Sequence, residues 1–411
     1  MHRYGHCGPM RSLLGIMTEP ASDQVIRADL LIVGGGLVGA ALAAALAKGG
    51  LRVIVIDQVD QRRQLDAAFD GRASAIAQAP KRMLDHLDVW QHLTAATPIL
   101  DIRVADGASR LFLHYDHQDI GDAPLGYMVE NRHLRAALFA ALNELDGITY
   151  LAPAEIAELT RRPDGVRLNL ADGTELAAPL LIGADGRNSW VRRQTEIAVT
   201  RWGYHQTGIV CTVAHEKPHN NVAHEHFLAA GPFAILPISG DRSSIVWTER
   251  DELVPGLMGL GDAAFLGELT GRFGDFMGKL ELTGPRWTYP LELQFARRAI
   301  DRRLALVGDA AHGMHPIAGQ GLNIGLRDVA AIAEVLIEAR RLGLDIGAGH
   351  ILERYERWRR FDTMLMLALT DGINRLFSND FAPLRLARDL GLAAVNRSGP
   401  LKRLFMRHAM G

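Results

Sequence analysis

The chain has 411 residues, 48% hydrophobic and 22% charged, with a formal net charge of −2. This is ordinary globular composition with room for two domains or one composite domain, and it gives no global pull towards nucleic acid. Two cysteines, Cys7 and Cys211, exclude a disulfide framework, a zinc ribbon, an iron–sulfur cluster and a CxxC pair, so redox chemistry would need a bound organic cofactor.

In chain order, residues 1–27 lack the apolar core of a secretory signal and read as a flexible extension, with Met17 an alternative start. Leu30–Ala47 carries no charge over the length of a membrane span, but the glycine triplet inside it predicts a buried strand, a tight turn and an alanine-rich helix over Leu37–Lys48. Leu51–Asp57 (LRVIVID) is a second strand closed by an acid, which completes a βαβ unit. The segment FDGRASAIAQAPKRMLDHLDVW is expected to be helical from Ser74, and Asn131–Leu145 is an amphipathic helix. Turns at PDG and ADG separate short strands between Ile148 and Pro179, after which LLIGADGRNSWVRR runs from a buried strand into a second glycine turn. Gly208–Glu249 alternates as an antiparallel sheet, 251–280 reads as a helix pair, and Leu304–Val307 is a last buried strand before a helical remainder from Val329.

GGGLVG matches GxGxxG at Gly34, Gly36 and Gly39: a tight turn, a close backbone approach to a pyrophosphate, and close helix–strand packing. The helix N-terminus offers free N–H groups to phosphate, and Asp57 stands where a carboxylate can accept from a ribose. This predicts nucleotide binding but does not separate NAD from FAD.

Gly183–Arg187 (GADGR) and Gly308-Asp309 both follow buried strands and set an aspartate at a glycine turn. With these three motifs in this order, the chain resembles the FAD-dependent aromatic-ring hydroxylases, single-component flavoprotein monooxygenases. His315–Asp328 (HPIAGQGLNIGLRD) resembles more narrowly the ubiquinone-biosynthesis hydroxylases, as do GRASAIA, YMVEN, GPFAILPI, SIVW and TDGINRLFSND. The resemblance covers nearly all of 28–380. It implies an α/β fold: a Rossmann-like FAD-binding domain (28–90, 127–190 and 286–340) interleaved with a mostly antiparallel substrate domain (91–126 and 191–285), and a helical C-terminal region, 341–411.

By the same resemblance, Gly34, Gly36, Gly39 and Asp57 hold the ADP half of FAD, Asp185 and Gly186 sit near the pyrophosphate, and Asp309 binds the ribityl chain. Arg72 and Asn131 match flavin-contacting positions more loosely. The segment after Gly319 should start a helix aimed at the flavin, with Gln320, Gly321, Leu322 and Asn323 supplying N–H groups. Pro316 is expected beside the reacting ring, its carbonyl facing a phenol. The implied reaction is ring hydroxylation of a polyprenyl-phenol ubiquinone precursor with NAD(P)H and O2 through a flavin 4a-hydroperoxide. The alternatives are a flavin hydroxylase or reductase acting on another lipid or aromatic, and a non-catalytic flavoprotein among other quinone-biosynthesis proteins.

No metal site is expected: His312 and His315 lack a third ligand, and His224 and His226 read better as exposed or pocket-edge groups. Trp202, Tyr204 and Trp247 suit an aromatic pocket or plain core. From 381 onwards the chain holds six Lys/Arg against one acid, Asp389, with Leu386, Leu390 and Ala393 on one helical face and Leu401, Leu404 and Phe405 on another. That pattern fits a membrane-surface helix, hence a cytoplasmic protein peripheral on the inner membrane, and equally a helix packed on the body.

Overall fold

The computed structural model describes residues 25–410 apart from 67, 69, 108–111, 316 and 379–381. The longer helices are α1 (Leu37–Lys48), α2 (Asn131–Asn143), α3 (Asp262–Phe273), α4 (Gln320–Arg341), α5 (Gly349–Phe377), α6 (Ala382–Arg397) and α7 (Gly399–Met410).

Short strands of two to four residues, most of them apolar, make a six-stranded sheet in the order Ile300–Asp301, Leu304–Leu306, Leu181–Gly183, Leu30–Val33, Val53–Ile56, Ile148–Leu151. Only the edge pair Ile300–Asp301 with Leu304–Leu306 is antiparallel. Leu30–Val33 and Val53–Ile56 are buried throughout, as strands covered on both faces should be. The alanines of α1 keep that helix slim enough to lie between the sheet, α2 and α4, and all its residues from Gly39 to Leu46 are buried.

A nine-stranded sheet forms the second layer. Its order is His312–Gly313, Trp287–Ala296, Val199–His215, Arg242–Arg250, Gly231–Ile238, Val222–Leu228, Asp101–Asp106, Phe112–Asp116, with Leu280–Leu282 added beside Val199–His215. Period-two alternation divides its faces. Ile209, Cys211, Val213, Phe233, Ile235, Ile245 and Trp247 pack on Phe265, Leu269 and Phe273 of α3, so Trp247 is core. The other face looks towards α4 and α5: Trp202, Leu293 and Phe295 pack with Met314, Ile324, Met366 and Leu367. A three-stranded sheet, Ala73–Ala77, Gly126–Glu130 and Thr97–Ile99, lies between the two layers.

Several expectations need correction. Ala73–Ala77 is a strand, and helix starts only at Gln78. Pairing with Gly126–Glu130 overrides an alanine-rich local preference. Trp287–Ala296 hydrogen-bonds to Val199–His215, so a boundary at 286 cuts one sheet in two. Of the expected extension, residues 1–24 lie outside the described residues, whereas Ile26 and Arg27 pair in parallel with Leu176 and Ala177.

The C-terminal helices pack on the body. Arg388 of α6 pairs with buried Asp106 at 2.7 Å and donates to Leu376 O at 2.8 Å. Asn396 accepts from His114 N–H, Lys402 pairs with Asp119, and Met406 is buried beside Ile102 and Tyr115. Two of the six cations offered to a membrane are thus engaged internally. Of the apolar positions expected on these helices, the side chains of Leu386, Leu390, Leu401 and Leu404 lie outside the described residues.

Asp106→Ala removes the carboxylate partner of a buried arginine and should cost ~3–5 kcal/mol. Urea unfolding together with limited proteolysis of the C-terminal helices measures this. A stability unchanged to within ~0.5 kcal/mol would remove Asp106 as their anchor.

Candidate functional site

The three glycine turns meet at the C-terminal ends of the parallel strands. Gly34 has φ +100°, and a Cβ there would lie 2.5 Å from Ala184 O, so the first turn rests directly on the second. A Cβ at Gly39 would overlap Gly34 O, which fixes how closely α1 approaches its strand. Gly36 differs: a Cβ there meets nothing within 4 Å, and it begins α1 without a side-chain cap. The first N–H groups of α1 therefore face open space. Asp57 accepts from Gly35 N–H at 2.6 Å and from Val59 N–H at 2.7 Å, while Tyr150 donates to Gly35 O at 3.0 Å. The strand-end acid holds the turn in shape.

In the second turn Asp185 accepts from Val191 N–H at 2.9 Å, and Gly186 takes φ +77°. Burial raises the Asp185 pKa, opposed by the Ser189 hydroxyl and neighbouring N–H groups. In the third, Gly308 has φ +59° and packs on Val38 of α1, where Gly325 of α4 also packs. Asp309 is half-exposed and within electrostatic reach of both Arg72 and His312.

Buried Asp328 holds this third turn. It accepts from Gly308 N–H (2.9 Å), pairs with His312 Nε2 (2.6 Å) and pairs with Arg359 Nε (2.7 Å). Gly319, at φ +61°, then starts α4 in a left-handed conformation without a side-chain cap, and a Cβ at Gly321 would meet nothing within 4 Å. Asn323 is turned away from that opening: its amide donates to Ala75 O (2.9 Å) and accepts from Ala77 N–H (3.0 Å).

Arg72 and Asn131 meet at Asp70, a residue no motif pointed to. Asp70 pairs with Arg72 at 2.9 Å and with Arg135, and accepts from Asn131 at 3.0 Å. Burial alone would raise its pKa, but these donors outweigh burial and hold it far below the usual carboxylate range. The Asn131 amide also accepts from Ser74, so Asn131 positions the cluster. Arg72 is half-exposed and covers the Tyr289 ring at 4.8 Å.

His315 is fully buried, its ring edge-on to Tyr204 at 5.2 Å, with neither ring nitrogen hydrogen-bonded among the described residues. Burial, aided by Arg187, pushes its pKa down to about 3, so it is neutral at physiological pH. Tyr204 (2.9 Å) and Trp202 (3.2 Å) donate to Asp371 of α5. Pro316 lies outside the described residues. His224 is buried against Phe276 on the α3 side, which corrects its expected exposure. Among the described residues no cluster of His, Cys, Asp or Glu could hold a metal ion.

Comparison with known proteins matches residues 27–366 to the family described as FAD binding domain. The chain is 58% identical over 405 residues to the ubiquinone hydroxylase UbiL of Rhodospirillum rubrum, covering 98% of this chain and 94% of that one. It is 35% identical to the 3-demethoxyubiquinol 3-hydroxylase of Escherichia coli, covering 93% and 98%. Among solved structures, p-nitrophenol 4-monooxygenase PnpA from Pseudomonas putida superposes with a TM-score of 0.79 at 18% identity, covering 94% and 99%.

Burial lowers the pKa of His312, but Asp328 outweighs it and raises the value above the ordinary 6.5. The charged pair therefore stabilises fully below pH 6.5 and loses that contribution as pH rises through the folded value. His312→Gln should lose more unfolding free energy at about pH 6 than at about pH 9 in urea titrations. Equal losses at both would mean the histidine is not charged in the folded protein.

Proposed function

The chain belongs to the FAD-dependent aromatic-ring hydroxylases, in the subfamily of the ubiquinone-biosynthesis hydroxylases, and from that premise we propose that it hydroxylates the ring of a polyprenyl-phenol ubiquinone precursor, using NAD(P)H and O2. The observation that carries the substrate class is His315–Asp328, taken with a relative named as a ubiquinone hydroxylase at 58% identity.

The residues present suit FAD. The open space above Gly36 at an uncapped helix start fits a pyrophosphate, with Asp57 near the adenosine ribose and Asp185 and Gly186 alongside. Asp309 would reach the ribityl chain. The uncapped start of α4, from Gly319 through Gln320, Gly321, Leu322 and Asn323, would set its positive end against the flavin ring, where reduction places negative charge. Bound FAD, reduced by NAD(P)H, supplies the oxygen chemistry. The apolar cluster of Trp202, Leu293, Met314, Met366 and Leu367 would exclude water, and neutral His315 would stand near the reacting ring. Pro316 follows it directly in the chain.

We read the outer face of α5 as a contact with the membrane that holds a prenylated substrate. Trp358, Phe361, Met364, Leu369 and Leu376 form an exposed apolar stripe, with Phe361 77% exposed, and Arg357 and Arg360 are exposed beside it. No helix among the described residues is long and apolar enough to cross a membrane.

NAD(P)H oxidation stimulated by a prenylphenol, with one atom of labelled O2 in the product, is the expected outcome. Oxidation without incorporation would point to another flavin reaction, and no stimulation to a non-catalytic role. Gly321→Leu should fold normally yet retain FAD on the order of tenfold less tightly, read from flavin absorbance per protein. Full loading would refute the placement of α4 against the flavin. Phe361→Ser should weaken flotation with anionic vesicles while leaving flavin content intact; unchanged flotation would clear this face of the role.

A further inference from the structure

On the sheet face turned away from α3, the strand register sets Glu225 between Val104 and Ala234, and Ala234 beside Val246. Ser244 and Thr248 flank Val246 on the same face. Both hydroxyls are buried and lack a hydrogen-bond partner among the described residues. His224 and His226 point the other way.

Two closures bound this strip. At one end Phe227 stacks on Phe377 of α5 at 4.2 Å, and Asp106 is tied to Arg388. At the other, Ala223, Leu236 and Ile102 pack with Met128, Ala73 and Ala75. Ala75 in turn abuts Gly319, where a Cβ would lie 3.1 Å from its methyl group. Glu225 thus lies midway along a strip that leads to the start of α4, where the flavin ring is expected.

No described residue gives the Glu225 carboxylate a hydrogen bond or an ion pair, and burial alone lifts its pKa to about 7. Yet Glu225 keeps some accessible surface, so a ligand laid on this face could reach it. An apolar residue would close such a wall more cheaply, since an unpaired acid at this depth is destabilising. The group is a polar contact awaiting a ligand.

We propose that Glu225 accepts the hydrogen bond of the substrate's ring hydroxyl. This rests on the reading of the substrate as a phenol. A carboxylate held so can also take the phenol proton as the ring is oxidised, raising its electron density, and return it on release. The apolar neighbours Val104, Ala234 and Val246 would meet the ring faces and the prenyl chain.

The test uses flavin-loaded protein titrated with a short-chain 2-prenylphenol and with its methyl ether, followed by the change in flavin absorbance. Wild type should bind the phenol ~10–100-fold more tightly than the ether. Glu225→Met should abolish that preference while leaving flavin content and ether affinity unchanged, and Glu225→Gln, which keeps an acceptor, should restore part of it. A Glu225→Met protein that keeps the full preference overturns the proposal. So does a wild type that binds both compounds equally, although the phenol reading then survives. A wild type that binds neither removes the phenol reading and this proposal together. Should Glu225→Met lose flavin, Glu225→Gln supplies a second arm: a preference reduced several-fold supports the contact, and an unchanged one counts against it.

Discussion

The carboxylate of Asp328 is charged, buried, and bonded to three different elements. It takes the Gly308 N–H at the strand end, His312 in the following turn, and Arg359 from α5. Arg359 also pairs with Asp362, which takes Arg327 from α4. Tyr355 closes the same region by donating to Leu306 O. Removing one member strands its buried partners, so the network behaves as a unit. Because α4 is a rigid rod, anchoring it at Asp328 also sets where it starts, ~14 Å away at Gly319. The strand end, Asp309 and the opening of α4 are thereby held in one geometry before any cofactor arrives.

What the sequence made legible was local. Each glycine turn follows a short apolar strand, and its conformation is decided by the few residues within it, so Gly34, Gly36 and Gly39 could be placed by spacing alone. Their observed surroundings follow the same logic, with Gly34 on Ala184 and Gly36 open. The antiparallel character of Gly208–Glu249 was equally visible, because alternation is a property of the segment itself.

What was not legible depended on distant partners. Ala73–Ala77 reads as helix until Gly126–Glu130 and Asn323, about fifty and two hundred and fifty residues away, are brought beside it. Asp70 organises Arg72, Asn131 and Arg135 without any motif, and Tyr150 holds Gly35 across more than a hundred residues. The basic C-terminal pattern was compatible with two environments, and the pairing of Arg388 with Asp106, with Asn396 accepting from His114 N–H, shows that the body holds that helix. Composition describes what a face could meet; packing decides what it does meet.

The nine-stranded sheet separates two tasks by parity. Residues facing α3 secure the layer, whereas their immediate neighbours in sequence face the opposite side. Point substitutions at Glu225, Ala234, Leu236, Ser244 or Val246 can alter what that face meets without disturbing the packing behind it. A one-residue insertion just before His224 would turn His224 and His226 to the opposite face and send Glu225 into the α3 core. Such a fold diversifies by exchange of side chains on a fixed lattice, and a change of length within these strands needs a bulge of the kind that shifts the register between Gly203 and Gln206.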